Sequence, residues 1–153
     1  MVLSLRVLGD QFGRYEDGEY VFKSCGIYIV VLQRLRDTKT NELRGNVFDK
    51  GHAKFRGNKF DVVAIINKYE YDEDQINIVD SNYTPSFKYT VGKTISEKRY
   101  NKNINDICAS GIHYYLTWEA AYFYDIDLTL VKDGNIIDYN DNGSINEEYE
   151  VYG

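Results

Sequence analysis

One proline, one methionine, one tryptophan and two cysteines are all that this chain of 153 residues holds of those four types. Cys25 and Cys108 make no C-x-x-C or other metal-ligand spacing, and two cysteines cannot build a disulfide framework. Both are expected as reduced, buried thiols in a reducing compartment. With His52 and His113 they complete the set of soft ligands, no two of which share a short spacing, so no metal site is expected. Long apolar runs are missing too. The longest, Gly26 to Leu32, falls far below a bilayer span, and the start MVLSLRVL is short for a signal peptide and broken by Arg6. A soluble, cytosolic chain with no membrane partner follows as the expectation, not a secreted one. There is no P-loop, dinucleotide-binding glycine motif or nucleophile elbow, and no cofactor is expected. Positive charge is in deficit, with 18 basic against 24 acidic residues and a net charge of −6, which makes nucleic acid an unlikely partner.

What the chain has in plenty is tyrosine, 15 of them beside 7 phenylalanines. Tyrosine brings a large rigid surface with a polar tip, so a share of these side chains is expected either at the surface, against protein partners, or in place of phenylalanine at half-buried sites. The charges are also uneven: residues 34–59 are basic and 133–150 strongly acidic. Such asymmetry suits either subunit contact or two solvated loops.

The length fits one domain, 1–153, with enough apolar residues for a core. Strands are expected over 2–8, 18–23, 26–33 and 59–68, with a short one in INIVD. FKYTVGKTI (87–95) should be a strand bent at Gly92, with Phe87, Tyr89 and Val91 on one face. Residues 34–46 read as a loop or short exposed helix. GIHYYL (111–116) reads as a strand, after which Thr117 caps a two-turn helix whose Trp118, Ala121 and Tyr122 side faces the sheet. From LTLVK onward the chain should form strands joined by DG and DNG hairpin turns. The fold class is α+β, a strand-rich single domain with one or two short helices and a C-terminal β-hairpin region.

Three blocks stand in order: Lys54, Arg56, Lys59 and Val62; then Phe87, Tyr89, Val91, Gly92 and Lys93; then CASGIHYYLTWEAAYFY, with Cys108, Gly111, Ile112, His113, Tyr114, Tyr115, Thr117, Ala121 and Tyr124. Together they resemble an uncharacterised domain of large (nucleocytoplasmic) DNA viruses, often found with pentapeptide or MORN-like repeats and marked by a C-x-x-G-I-H-[FY]-[FY]-x-T block. The resemblance covers residues 27–125, and the tail 126–153 is similar to MORN-like strands. Phe55 stands where that domain usually has a cysteine, which argues against a shared Cys/Cys metal site. The resemblance implies a giant-virus protein, in the virion or host cytoplasm, but carries no reaction.

The chemistry gathers at His113. Strand alternation puts His113 and Tyr115 on one face, and Ile112, Tyr114 and Leu116 on the other. A Cys108–His113 pair would need the turn to fold back; the structural alternative has His113 bonding a backbone carbonyl beside the helix and fixing a strand-to-helix corner. The GIHYY-plus-helix unit is also similar, more weakly, to a block of the ADP-ribosyltransferase fold. That similarity implies a pocket lined by His113, Tyr115 and Tyr89, with Glu148 or Glu150 as its late acidic residue and Gly51-His52-Ala53 as the nearest string to an upstream block. The carboxylates at 69–74 and 138–143 invite a calcium reading, but in the second the twelfth loop position falls on Tyr149 where a bidentate Glu is needed.

The reading favoured by the sequence is a non-enzymatic structural or interaction protein, with other protein subunits as partners, capsid proteins among them, and a minor capsid role in view. In that reading no residue is catalytic. The alternative is a degenerate or nucleotide-binding ADP-ribosyltransferase-like domain with a pocket at His113, for which His113, Tyr115, Tyr89 and Cys108 are the candidate site residues.

Overall fold

A computed structural model describes residues 5–70, 76–81, 87–131 and 134–152. Six antiparallel strands form the main sheet: β1 (Tyr20–Cys25), β2 (Tyr28–Arg34), β3 (Lys54–Gly57), β4 (Lys59–Asn67), β7 (Thr94–Ser96) and β8 (Ile112–Tyr115), in the order β3-β8-β1-β2-β4-β7. Two hairpin-like pairs flank it, β5 (Ile78–Asp80) with β6 (Lys88–Thr90) and β9 (Gly134–Tyr139) with β10 (Ile145–Val151). With α1 (Leu5–Phe12) and α2 (Trp118–Phe123) the result is a small, mostly-β domain, to which α+β applies as an approximate label.

The sheet is covered on both faces, which is why the central strands read as continuous apolar runs. Val21, Val30, Leu32, Phe55, Phe60, Ile112 and Tyr114 share one core cluster; Phe22, Ile29, Val31 and Tyr115 join Leu8, Phe12, Ala120, Ala121 and Tyr122 in the other. Burying one such apolar side chain contributes about 1.5–3 kcal/mol, so the two clusters together dominate the stability.

The described part of residues 2–8 is not a strand. Residues 5–12 are helical because Leu8 and Phe12, one helical turn apart, both bury in the second cluster, and the expected GD turn lies inside α1. Trp118 accordingly stacks on Phe12, at 5.4 Å and 9°, where docking on the sheet itself was expected. Thr117 does cap α2, its hydroxyl accepting from the Ala120 N–H at 3.3 Å. Phe123, which helical spacing places off the Trp118, Ala121 and Tyr122 side, nevertheless packs against the same cluster as Tyr122. Residues 87–95 divide into β6 and β7, paired with β5 and β4 respectively, though Phe87, Tyr89 and Val91 do share one core. Residues 128–130 of the expected strand LTLVK form a turn, and the expected DG turn after it lies partly outside the described residues. β3 was not anticipated as a strand. Residues 34–46 form a loop, apart from the end of β2 and one bridge from Thr40 to Gly57.

Part of the basic stretch is engaged within the molecule, while Arg36, Lys39 and Lys50 are exposed. Arg56 and Arg44 are buried, at 0% and 4% exposure, and donate to backbone carbonyls. Arg34 pairs with Glu42, which also accepts from the Tyr114 hydroxyl at 2.6 Å, and Lys59 pairs with Asp37. Neither a wholly solvated loop nor a free basic face describes it. The acidic β10, by contrast, is exposed at every residue but the last, Val151.

The DNG turn of the C-terminal hairpin docks on the loop before β3. Phe48 N–H donates to Asn142 O at 2.8 Å, and Lys54 N–H to Asp141 O at 3.0 Å. Gly143 has φ +90°, and a Cβ there would stand 2.0 Å from Asp49 O, so this contact requires glycine. Asn140 and Ser144 close the turn by a backbone bond of 2.8 Å, which gives DNG a hairpin role. The other carboxylate-rich segment, 69–74, lies largely outside the described residues.

Candidate functional site

β8 is held tightly on one side and loosely on the other. It pairs with β3 at four consecutive positions, Lys54↔Tyr115 to Gly57↔Ile112, but with β1 only at Phe22↔Tyr115. Beyond that point β1 and β8 part, and the Lys23 ammonium bridges the gap by donating to the His113 carbonyl at 3.0 Å. A cavity of about 500 Å³ opens beside this gap, within the range usual for small-molecule sites.

The outer wall is the segment 97–111, and Arg56 shapes it. Its guanidinium donates to the carbonyls of Asp106 (2.8 Å), Asn101 (2.5 Å), Asn103 (2.5 Å) and Ser110 (3.3 Å). This winds the loop around one buried cation, with the Tyr100 ring over it. Gly111 ends the wall at φ +157°, where a Cβ would stand 3.1 Å from Arg56 Cβ and 3.2 Å from Tyr100 Cδ1. The loop therefore cannot approach β3 so closely with a larger residue.

All four residues singled out from the sequence line this cavity: His113, Tyr115, Tyr89 and Cys108. His113 Nε2 lies 2.9 Å from the Ala109 carbonyl, in the preceding loop and not beside the helix. A carbonyl only accepts, so Nε2 carries the proton and Nδ1 keeps its lone pair. Nδ1 is buried and has no partner among the described residues. Burial pulls the pKa down to about 4, against the raising effect of the Ala109 bond and helped by Lys54, Lys23 and Arg56, so the ring is neutral at physiological pH. Tyr89 is fully buried, its hydroxyl also lacks a partner among the described residues, and burial raises its pKa well above the ordinary value.

Cys108 departs from expectation: it is exposed, and its thiol points to Asp141 Oδ2 at 3.7 Å. Loop 97–111 is anchored by Arg56 and not by packing of this side chain, which leaves Cys108 at the rim. It shares the cavity with His113 but makes no bond to it. Cys25 is buried as expected, and burial raises its pKa.

Sequence reasoning missed the lysines. Lys23 is 7% exposed, and burial brings its pKa down to about 8, with Lys54 adding to the fall and Cys25 opposing it. Its Nζ lies 5.8 Å from the Tyr89 ring centroid, and Lys54 Nζ lies 5.6 Å from that of Tyr124. No carboxylate stands within ion-pair distance of either amine among the described residues. Among the described residues the one carboxylate on the cavity wall, Glu97, accepts from the Arg99 backbone at 2.8 Å and lies 3.8 Å from its guanidinium. A signal was present: Val21, Lys23 and Cys25 alternate on one face of a strand, so the lysine sits where an apolar residue belongs.

The remaining candidates lie elsewhere. Glu148 and Glu150 are exposed on β10, opposite Ile137 and Asn135, and do not line this cavity. His52 stacks on Tyr139 at 4.4 Å with Nδ1 2.8 Å from Asp49 Oδ2. Among the described residues no three His, Cys, Asp or Glu side chains gather as metal ligands, and no helix is long and apolar enough to cross a membrane.

The chain belongs to a family of unknown function, DUF5758, whose pattern matches residues 13–121 and so takes in the described cavity wall except Tyr124. It is also similar to "Uncharacterized protein L223" of Acanthamoeba polyphaga mimivirus, with 38% identity over 76 residues. That match covers 46% of this chain and 46% of the relative, so the chain spans about half the length of the curated relative it matches. An uncharacterised giant-virus domain is thus supported, without any activity attached. No solved structure matches the chain.

Proposed function

We propose that this member of a family of unknown function is a ligand-binding domain whose cavity between β1 and β8 takes a small, planar, negatively charged molecule. The observation that carries the reading is the pairing of aromatic walls with two lysines that have no carboxylate partner among the described residues. A buried amine without a counter-charge costs stability, and a ligand anion would supply what is missing. Phe87, Tyr115 and Tyr124 give flat apolar surface for a ring, while exposed Arg99 and half-buried Lys54 meet the anionic end nearer the rim. Nucleotides fall within this class, but the ADP-ribosyltransferase likeness gains no support from the acidic residues it requires.

The test is a thermal-shift screen of planar anions, aromatic carboxylates and nucleotides among them, repeated after Cys108 is capped with a bulky maleimide at the rim. Binding to the folded state raises its melting temperature by mass action. A saturable rise that capping removes supports the reading; no rise at millimolar concentration with any member refutes it.

A structural role with protein subunits, capsid proteins included, is the second reading, and it draws on Leu43 and Phe48. They are 88% and 78% exposed in the loop before β3 and offer apolar surface to a partner. Mass spectrometry of purified virus particles tests it, and absence of the protein from them would remove the capsid version.

A further inference from the structure

We infer that Lys23 captures a carbonyl compound, an aldehyde or ketone bearing a carboxylate or phosphate, as a Schiff base at the floor of the cavity. The inference rests on the ligand-binding reading and names the ligand's second functional group.

Lys23 is the most enclosed amine on the cavity wall, reaching across the gap where β1 and β8 cease to pair. Among the described residues its one hydrogen bond is to the His113 carbonyl, which a neutral amine satisfies with a single N–H while its lone pair stays available. With Tyr89 beside it and no carboxylate among the described residues to hold the proton, the amine has a substantial neutral fraction near pH 8. Desolvation in an apolar pocket is a recognised means of making lysine nucleophilic. Neutral His113 and protonated Tyr89 add no competing charge at the floor.

The step balances without an oxidant or reductant. The Nζ lone pair forms a bond to the carbonyl carbon, and the C=O electron pair moves to oxygen, which takes up a proton. The carbinolamine then loses its hydroxyl as water, with the proton from nitrogen completing it, and a C=N bond remains. A rim-facing anion on the same molecule would lie toward Arg99 and Lys54.

Lys68 is the internal control. Burial lowers its pKa to about 8 as well, but it does not line the cavity, and its Nζ donates to both Ser24 Oγ (2.8 Å) and Tyr124 O (2.7 Å). An account based on pKa alone predicts equal reaction at the two lysines; an account based on the cavity does not.

The experiment treats the full chain at pH 8 with 4-formylbenzoate and cyanoborohydride, which fixes the imine as a stable secondary amine, and maps the adducts by peptide mass spectrometry. The expected result is adduct at Lys23 about tenfold or more faster than at Lys68 or exposed Lys98, as activation of a desolvated amine implies. Lys23→Arg should abolish the fast adduct and Lys68→Arg should leave it, while the mapping of the wild-type chain decides the matter even if a variant fails to fold. Equal labelling of Lys23 and Lys68, or adducts confined to exposed lysines, overturns the inference. If planar anions still raise the melting temperature in that case, the cavity reading stands and only the covalent step falls.

Discussion

The guanidinium carbon of Arg56 lies 5.0 Å from the centroid of the Tyr100 ring, and the loop that carries Tyr100 is wound around that one cation. Because four carbonyls depend on it, Arg56→Met should destabilise the domain by about 2–4 kcal/mol, the cost of buried acceptors left unpaired. The loop should loosen before the sheet does, so trypsin should cut after Lys98, Arg99 or Lys102 much faster than in the wild type. Unchanged cleavage there would show that the loop holds itself.

Acid should destabilise the fold through His113. Its pKa is about 4 when folded against an ordinary 6.5, so between those values the unfolded chain takes up a proton that the folded chain refuses. This contribution is complete above about pH 6.5 and lost as the pH falls toward 4, for a total of about 3 kcal/mol. His113→Gln should flatten that part of the stability–pH curve measured by urea denaturation. An unaltered slope would mean that the ring is solvated.

Lys23 should be a cost to stability at neutral pH. Lys23→Met replaces a buried amine that has no carboxylate partner among the described residues by an apolar side chain of similar length and should stabilise by about 1–2 kcal/mol at pH 7. The gain should shrink as the pH rises from about 8 toward 10.5, since there the folded amine is already neutral while the unfolded one still holds its proton. A destabilised variant, or a gain independent of pH, would count against a buried amine without a counter-charge.

Native labelling with maleimide should be fast at Cys108 and absent at Cys25 until the chain unfolds, because one is exposed and the other is 4% exposed in the core. Capped Cys108 should also slow reductive trapping at Lys23, since both line the same cavity. Equal labelling of the two thiols would contradict the burial.

Local pattern made the core strands legible. β1, β2, β4 and β8 follow from apolar runs and alternation, and the helix after Thr117 from its cap. The failures have physical causes. Leu8 and Phe12 decide for a helix only because Trp118, more than a hundred residues later, lies against Phe12. Residues 87–95 keep one face in the core but divide between two sheets, which alternation cannot reveal. At the site, His113, Tyr89, Tyr115 and Cys108 were readable as chemistry-bearing types near a strand end. Arg56 was not, since a basic residue in a basic stretch reads as solvated until its carbonyl partners are seen, and Lys23 showed only as a lysine on the apolar face of a strand.

The most direct test is a two-dimensional amide NMR titration of the full chain with the planar anion that gives the largest thermal shift. The account predicts saturable shifts at Lys23, Ser24, Tyr89, Ser110, Gly111 and His113, which line the cavity, and little change along β10. Saturable shifts centred instead on Leu43 and Phe48 or on β10, or none at the cavity, would contradict it.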